Sequence, residues 1–290
     1  MPFIQAKVAV ALVAALSTSA SPASRTLLPP NVQTVYAIGP CEQYVAQWLG
    51  ASQGWEVIGG EAQNLYVGQA GVFATDPNSG DIMQYSGTPN SWNVIGGPGN
   101  TFAVGSHLWG MAPDGSYVAQ WNGAQGWTEI GGPANMIYAG GFGLFATNPS
   151  SSEIYEYNAT TNTWTGIGSA TDSLFAVSDN AIYKLDANQE VEQWSGSGST
   201  WNVIDTTKVT RIYAGGYGVF ATPQATGEID KYNGTPNSWT MVGGPGTQFA
   251  VSDTDVYGLA TDDSYVAAYS GQGQSWSEIG GQTYQIAAGG

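Results

Sequence analysis

Positive charge is the scarcest property of this chain. Six lysines and arginines stand against 22 aspartates and glutamates, giving a net charge of −16 over 290 residues. A field of that sign repels phosphate backbones and anionic bilayers, so neither nucleic acid nor a membrane surface is an expected partner. Charged residues make up only 10% of the chain while aromatics make up 12%, a balance that fits a packed all-β protein rather than a disordered one. There is one cysteine, Cys41, so an intramolecular disulfide is excluded; the residue reads as a buried small hydrophobe or a free thiol. There is also one histidine, His107. With a single His and a single Cys no zinc cluster of those ligands can be built. A G-x-S-x-G elbow, a phosphate loop and a dinucleotide fingerprint are all missing, which removes the familiar hydrolase and redox chemistries. His107 therefore reads as a loop residue. "DPNSGD" at 76–81 starts like a calcium loop, but Gly87 stands where the closing Glu belongs, so it reads as a turn. The "DTD" at 253–255 and the "DD" at 262–263 read the same way. No metal and no cofactor are expected.

Long apolar runs are equally rare. The one at the N-terminus, Val8 to Leu16, follows Lys7 and precedes small residues. Residues 1–20 therefore read as a secretory signal peptide, with cleavage after Ala20 or Ala23, and 21–34 as a flexible lead-in. Nine apolar residues are too few for a membrane anchor. The expected destination is the secretory lumen or the exterior.

What the chain does have is glycine, at 41 residues, and a recurring phrase. "GWEVIGG", "SWNVIGG", "GWTEIGG", "SWTMVGG" and "SWSEIGG" are joined by weaker copies, "TWTGIGS" and "TWNVID". Their tryptophans, Trp55, Trp92, Trp127, Trp164, Trp201, Trp239 and Trp276, lie 37, 35, 37, 37, 38 and 37 residues apart. A fixed period in this range marks a propeller or a solenoid. Within one unit, 133–169, the runs "MIYAG", "GLFAT", "EIYEYN" and "TWTGIG" alternate apolar and polar residues, and turn-forming clusters separate them. Four short strands per unit and seven units predict an all-β, seven-bladed β-propeller over 35–290. The Trp should begin each outermost strand and fill the space between blades. The Gly pair should let the chain cross to the next blade, where a Cβ would restrict the bend.

The ends predict closure. "QTYQIAAGG" (282–290) matches an inner strand and then stops, while 35–48 aligns without gaps to 108–121. Blade one is thus shared between 35–60 and 282–290, which seals the ring and hides its edges. Inner strands come in two flavours, "YAGG-x-G-x-F-A-T" and "FAVS" or "FAVG". The two read as a mixture rather than a strict alternation, because 173–185 begins like one and sits in the other's place.

The candidate site is the axial mouth, where the outer strand of one blade leads to the inner strand of the next. The units diverge most there, at Gln63, Asn100, Met136, Asp172, Lys208, Arg211, Gln248 and Tyr284. Divergence where packing does not impose similarity suggests one asymmetric binding site. Arg211 is suited to holding a carbonyl or carboxylate, and with Tyr284 it is the candidate catalytic donor. Two sequons, Asn158-Ala-Thr and Asn233-Gly-Thr, fall in turns on the opposite face and are expected to carry glycans.

The W-x-x-I-G-G unit with "IYAGG" and "FAT" resembles the tectonin repeat of propeller lectins, which implies a propeller and, as one function, carbohydrate binding. A chain of this size with a leader and divergent repeats also resembles the fungal hetero-Diels–Alderases that join a tropolone quinone methide to a humulene-type sesquiterpene. That resemblance implies a cofactor-free pericyclase acting on hydrophobic small molecules. Such an enzyme needs an apolar pocket and a hydrogen-bond donor rather than a nucleophile or metal.

Overall fold

The computed structural model describes residues 34–289. The expected signal peptide and nearly all of the lead-in lie outside the described residues, as does Gly290. Thr34 already belongs to the first strand, Thr34–Ile38, one residue earlier than expected.

Seven sheets of four antiparallel strands form the ring. Blade one takes Thr34–Ile38, Val45–Trp48 and Trp55–Gly59 from the N-terminal part and its inner strand, Gln285–Gly289, from the C-terminal end. The two parts pair along five residues, from Thr34 opposite Gly289 to Ile38 opposite Gln285. The later blades span 64–98, 101–131, 136–169, 174–205, 209–243 and 248–280. Among the described residues only two single-turn 3-10 helices interrupt the strands, and no helix is long and apolar enough to cross a membrane.

The repeated phrase has a specific mechanical meaning. Six of the seven tryptophan indoles donate their N–H to the carbonyl of the aliphatic residue in the preceding blade's copy. Trp55 donates to Ile279 at 2.6 Å, Trp92 to Ile58 at 2.8 Å, and Trp127 to Ile95 at 2.7 Å. Trp164 donates to Ile130 at 2.7 Å, Trp201 to Ile167 at 2.8 Å and Trp276 to Val242 at 2.7 Å. The first glycine of each phrase makes this possible. A Cβ on Gly59, Gly96, Gly131, Gly168 or Gly280 would stand 2.6–2.7 Å from the neighbouring indole nitrogen. The second glycine, at Gly60, Gly132 or Gly244, has open space around it. The pair is therefore required for indole packing at its first member, not for a bend at the crossing.

The seventh joint breaks the rule. In blade five the phrase reads "WNVID", so Asp205 occupies the glycine position. It is buried, and the indole nitrogen of Trp239 is buried without an acceptor. Asp230, facing the same joint from blade six, also has a buried carboxylate oxygen without a partner. Burial pushes the Asp230 carboxyl up, and the charges of Glu228 and Asp205 add to the shift.

The two inner-strand flavours alternate strictly from blade two to blade seven, which corrects the mixed reading. Tyr66, Tyr138 and Tyr213 of blades two, four and six each meet a phenylalanine of the following blade: Phe102, Phe175 and Phe249, at centroid separations of 5.7, 5.2 and 5.5 Å and steep ring angles. Each couple is tied by one backbone hydrogen bond between adjacent turns, Ala70 to Gly105, Phe142 to Ser178 and Tyr217 to Ser252, at 2.8–2.9 Å. Seven is odd, so one blade cannot belong to a couple. That blade is the first, and it is a hybrid. Its face toward blade seven uses Ile286, Ala288, Val35 and Ala37 in the places where blade four presents Ile137, Ala139, Leu144 and Ala146 to blade three. Its face toward blade two uses Ala287, Tyr36, Ile38 and Val45 in the places of Ala103, Trp109, Met111 and Val118.

Two stability outcomes follow. Trp127→Ala should cost about 3–5 kcal/mol, as for other buried aromatic truncations, read as a drop in the denaturation midpoint. Asp205→Gly should do the reverse: it gives up the hydrogen bond from the Thr207 N–H to the Asp205 carboxylate at 2.8 Å, but it restores the donor–carbonyl geometry of Trp239 and relieves the repulsion on Asp230, for a net gain of about 1 kcal/mol. A carboxyl whose pKa rises on folding favours the folded state at low pH, and that contribution is lost as pH rises through the raised value. The gain from Asp205→Gly should therefore be larger near neutrality than near about pH 4. A melting temperature that falls in the Asp205→Gly protein contradicts this account of the joint.

Candidate functional site

The inner strands enclose an axial channel whose described cavity measures about 360 Å³. Its wall, drawn from blades one, two, three, six and seven, alternates small residues such as Ala103, Ala214, Ala250 and Ala287 with Tyr66, Phe102, Tyr213 and Phe249, whose rings meet in the joints. The side chains that differ most from blade to blade lie at the mouth, at one level of the inner strands and on the residue before it.

Seven residues level with one another form a ring: Asn64, Thr101, Met136, Leu174, Arg211, Gln248 and Gln285, each the first of its inner strand except Arg211, the third residue of Val209–Gly215. They do not play equal parts. The Gln248 side-chain oxygen accepts the Ile286 N–H at 2.8 Å, and the Gln285 oxygen accepts the Leu65 N–H at 3.0 Å. These amides clasp blade seven to one and blade one to two. The Asn64 amide turns back to the Thr75 hydroxyl at 3.4 Å. Blade three presents the half-buried Thr101, and blades four, five and six present the rest: Met136 is 38% exposed, Leu174 is 53% exposed, and Arg211 is exposed. An apolar pair and a cation thus stand side by side on one arc.

Arg211 leans toward blade seven, its Nη1 donating to the Thr247 carbonyl over 3.4 Å. The guanidinium also interacts with the Tyr213 hydroxyl through a side-chain hydrogen bond. Burial pushes the Tyr213 hydroxyl up, and the Arg211 charge opposes part of that rise. At the other end of the channel the polarity is reversed. Asp179 of blade five and Asp253 of blade seven both lie against Gly216 of blade six. Burial and the neighbouring Asp253 raise the Asp179 carboxyl. Neither Arg211 nor these carboxyl groups line the described cavity itself; they stand at its two ends.

The remaining candidates sit at defined distances from this ring. Gln63, Asn100 and Tyr284 precede ring residues by one position; Tyr284 is 54% exposed, and its N–H is held by the Ile38 carbonyl. Asp172 stands two positions before Leu174, in the left-handed region at φ 48°. Lys208 is three residues before Arg211, about 10 Å along an extended chain, and it is exposed. Leu174 was not among the candidates. The signal for it is the Phe at Phe102, Phe175 and Phe249, which puts Leu174 level with Thr101 and Gln248.

His107 lies in the turn at the opposite face, its Nδ1 3.1 Å from the Ser106 hydroxyl, so it does not share the mouth. Cys41 is exposed, contrary to the buried reading, because it occupies a tight turn with φ 58°. The Asp76 carboxylate accepts the N–H groups of Asn78 and Ser79 at 2.8 and 2.9 Å, which makes 76–81 a self-capped turn. Among the described residues no group of three or more His, Cys, Asp or Glu gathers as metal ligands. The sequon residues both sit in turns on the face of His107. Asn158 caps the N–H groups of Thr160 and Thr161, and the Asn233 amide donates to Ser238 and Thr240 at 3.1 and 3.0 Å.

Comparison with known proteins supports the fold and nothing finer. No family profile matches the chain, and no curated protein sequence matches it. Among solved structures, a streptogramin B lyase shares 14% identity with a TM-score of 0.54, over 79% of this chain and 91% of that one. Apo AztD from Citrobacter koseri shares 9% identity with a TM-score of 0.53, over 88% and 96%. The ectodomain of the receptor kinase CR4 from Physcomitrella patens shares 14% identity with a TM-score of 0.50, over 78% and 70%. At such identities the likeness is one of architecture, on which unrelated functions are built.

The amide clasps yield a separate expectation. Gln248→Ala should lower thermal stability, since it leaves the Ile286 N–H without its partner, by about 1–2 kcal/mol. Met136→Ala, on the exposed side of the same ring, should leave melting unchanged.

Proposed function

We propose that the mouth binds largely apolar small molecules, one of them bearing an electron-poor carbonyl, and joins them in a cofactor-free cycloaddition. The observation that carries the reading is the arc of Met136, Leu174 and Arg211, two exposed apolar side chains beside a guanidinium. In such a reaction σ-bonds form as π-bonds are consumed, and no proton, electron or leaving group has to be supplied. The protein's work is then to hold the reactants together, which lowers the entropic part of the barrier. Arg211 donates to the carbonyl oxygen and draws electron density from the conjugated partner; Tyr284 is the second candidate donor. The hetero-Diels–Alder joining of a tropolone quinone methide to a humulene-type sesquiterpene is the specific reaction that the sequence resemblance implies. Passage through the secretory pathway belongs to the same reading, and glycans at Asn158 or Asn233 would project from the face opposite the mouth.

A repeated carbohydrate-binding site, the other expectation, would need equivalent free groups on successive blades. The repeated aromatic groups are instead engaged: six indole N–H groups are spent on backbone carbonyls across the joints. This favours a single asymmetric site.

The test is incubation of purified protein with a tropolone quinone-methide precursor and humulene alcohol, with product formation followed by chromatography. Stereoselective adduct should form faster than in buffer. Arg211→Ala should slow it by roughly tenfold or more, the scale of losing one stabilising donor, and His107→Ala should leave it unchanged. Adduct no faster than in buffer, together with specific binding on a glycan array, overturns the proposal in favour of a lectin.

A further inference from the structure

The hybrid nature of blade one has a steric consequence at its joint with blade seven. In blade three the Phe102 ring lies over Gly110, which pairs with Ala119 on the next strand. Blade one carries the same kind of outer strands, and there Ala37 pairs with Ala46. Its inner strand, however, brings Ile286 in place of a phenylalanine. The joint with blade seven also lacks the bulk found at equivalent joints, where Met83, Tyr155 and Asp230 stand in the position of Ala46. A cavity of about 190 Å³ lies here, with Ala37 and Ala46 in its wall; the equivalent joint of blades three and four keeps one of about 230 Å³ beside Tyr155, but Thr147 and Asn148 make its lining more polar.

The rest of the wall is aromatic and organised. Trp48 and Trp55 stand 5.7 Å apart at 52°, and both line the cavity with Tyr44 and Ile279. The Trp55 N–H is already bound to the Ile279 carbonyl at 2.6 Å, so the indole offers the cavity ring surface rather than a donor. Tyr44 differs from its counterparts. Tyr117 and Tyr265 are exposed at 40% and 42%, whereas Tyr44 is half-buried. Gly39 accounts for this, because a Cβ there would fall inside the Tyr44 ring, and the equivalent positions hold Ala112 and Ala260. The Gln53 side chain and Thr283 are the polar elements of the lining.

We infer that this lateral cavity between blades seven and one is a second binding site, for an uncharged planar ring compound carrying one polar group. No charged residue lines it, which disfavours an ion. A dry apolar cavity of about 150 Å³ is enough to take up benzene, so this one accommodates one ring and part of a second. The site is independent of the axial mouth and of the reaction proposed there.

Isothermal titration of the full chain with 1-naphthol tests the inference. The wild type should bind one equivalent with Kd on the order of 100 µM, the strength expected for a ligand of about eleven non-hydrogen atoms. Ala46→Tyr, which places a ring in the cavity wall, should weaken binding at least tenfold, and Arg211→Ala should leave it unchanged. Ala46→Met, the residue of blade two, should act in the same direction; it decides the matter if circular dichroism shows that the tyrosine variant is misfolded. Absence of binding by the wild type, or unchanged binding by the folded Ala46 variant, overturns the site. So does loss of binding in Arg211→Ala, which would place the probe in the mouth.

Discussion

The ring depends on one interaction made between blades rather than within them, the hydrogen bond from an outer-strand indole to a carbonyl of the preceding blade. Backbone ladders hold each four-stranded sheet together but say nothing about how sheets stack. The indole does, because it both buries a large apolar surface and fixes direction through its single N–H donor. The glycine beside the accepting carbonyl is the other half of the device. Its missing side chain is the room in which the neighbour's nitrogen sits. A residue pair separated by more than thirty positions in sequence is thereby specified by two short local phrases. The joint containing Asp205 shows the dependence by exception: with the glycine replaced, the donor of Trp239 is buried without an acceptor.

The second constraint is parity. Two kinds of joint, one built on a Tyr–Phe edge contact and one on aliphatic side chains, alternate around six blades. An odd ring cannot alternate throughout, and somewhere a blade must present unlike faces. The chain places that burden on the blade assembled from both of its ends, where inner and outer strands come from separate segments and need not share a flavour. Ile286 and Ala288 face blade seven as one type, while Tyr36 and Ile38 face blade two as the other. Closure and parity are thus solved in the same place.

Much of this was legible in the sequence, and for physical reasons. Period, strand count and closure could be read because they are written in residues that packing forces to recur: Trp, the aliphatic three positions on, and Gly. The role of the first glycine was not legible, since it depends on an indole from another blade. The alternation of flavours was misread because the crossings from blade four to five and from five to six are each one residue longer than the others, as Trp164 to Leu174 and Trp201 to Arg211 show; Phe175, not the residues before it, sets the register. The same slip hid Leu174 while Met136 and Arg211 were found. Gln248 stood out correctly as a non-repeating residue, yet its amide serves the next blade's backbone. Divergence in sequence marks positions freed from the common packing rule, and it does not distinguish a ligand contact from a local clasp.

The asymmetry of the mouth follows from these constraints. The inner strands share their packing along the channel and differ most at the level of the mouth. On blades seven and one that level is used by amides that secure the region of chain closure: Gln248 binds the closing strand, and Gln285, on that strand, binds blade two. Closure is made without a disulfide, and side-chain clasps are the means left at the top of the strand. Blades four to six lie away from the strand pairing that closes the ring. At the same level they carry Met136, Leu174 and Arg211, which make no amide clasp. The place where the ring is sealed and the arc of side chains that make no clasp are therefore on opposite sides of the axis, and the first determines where the second can lie.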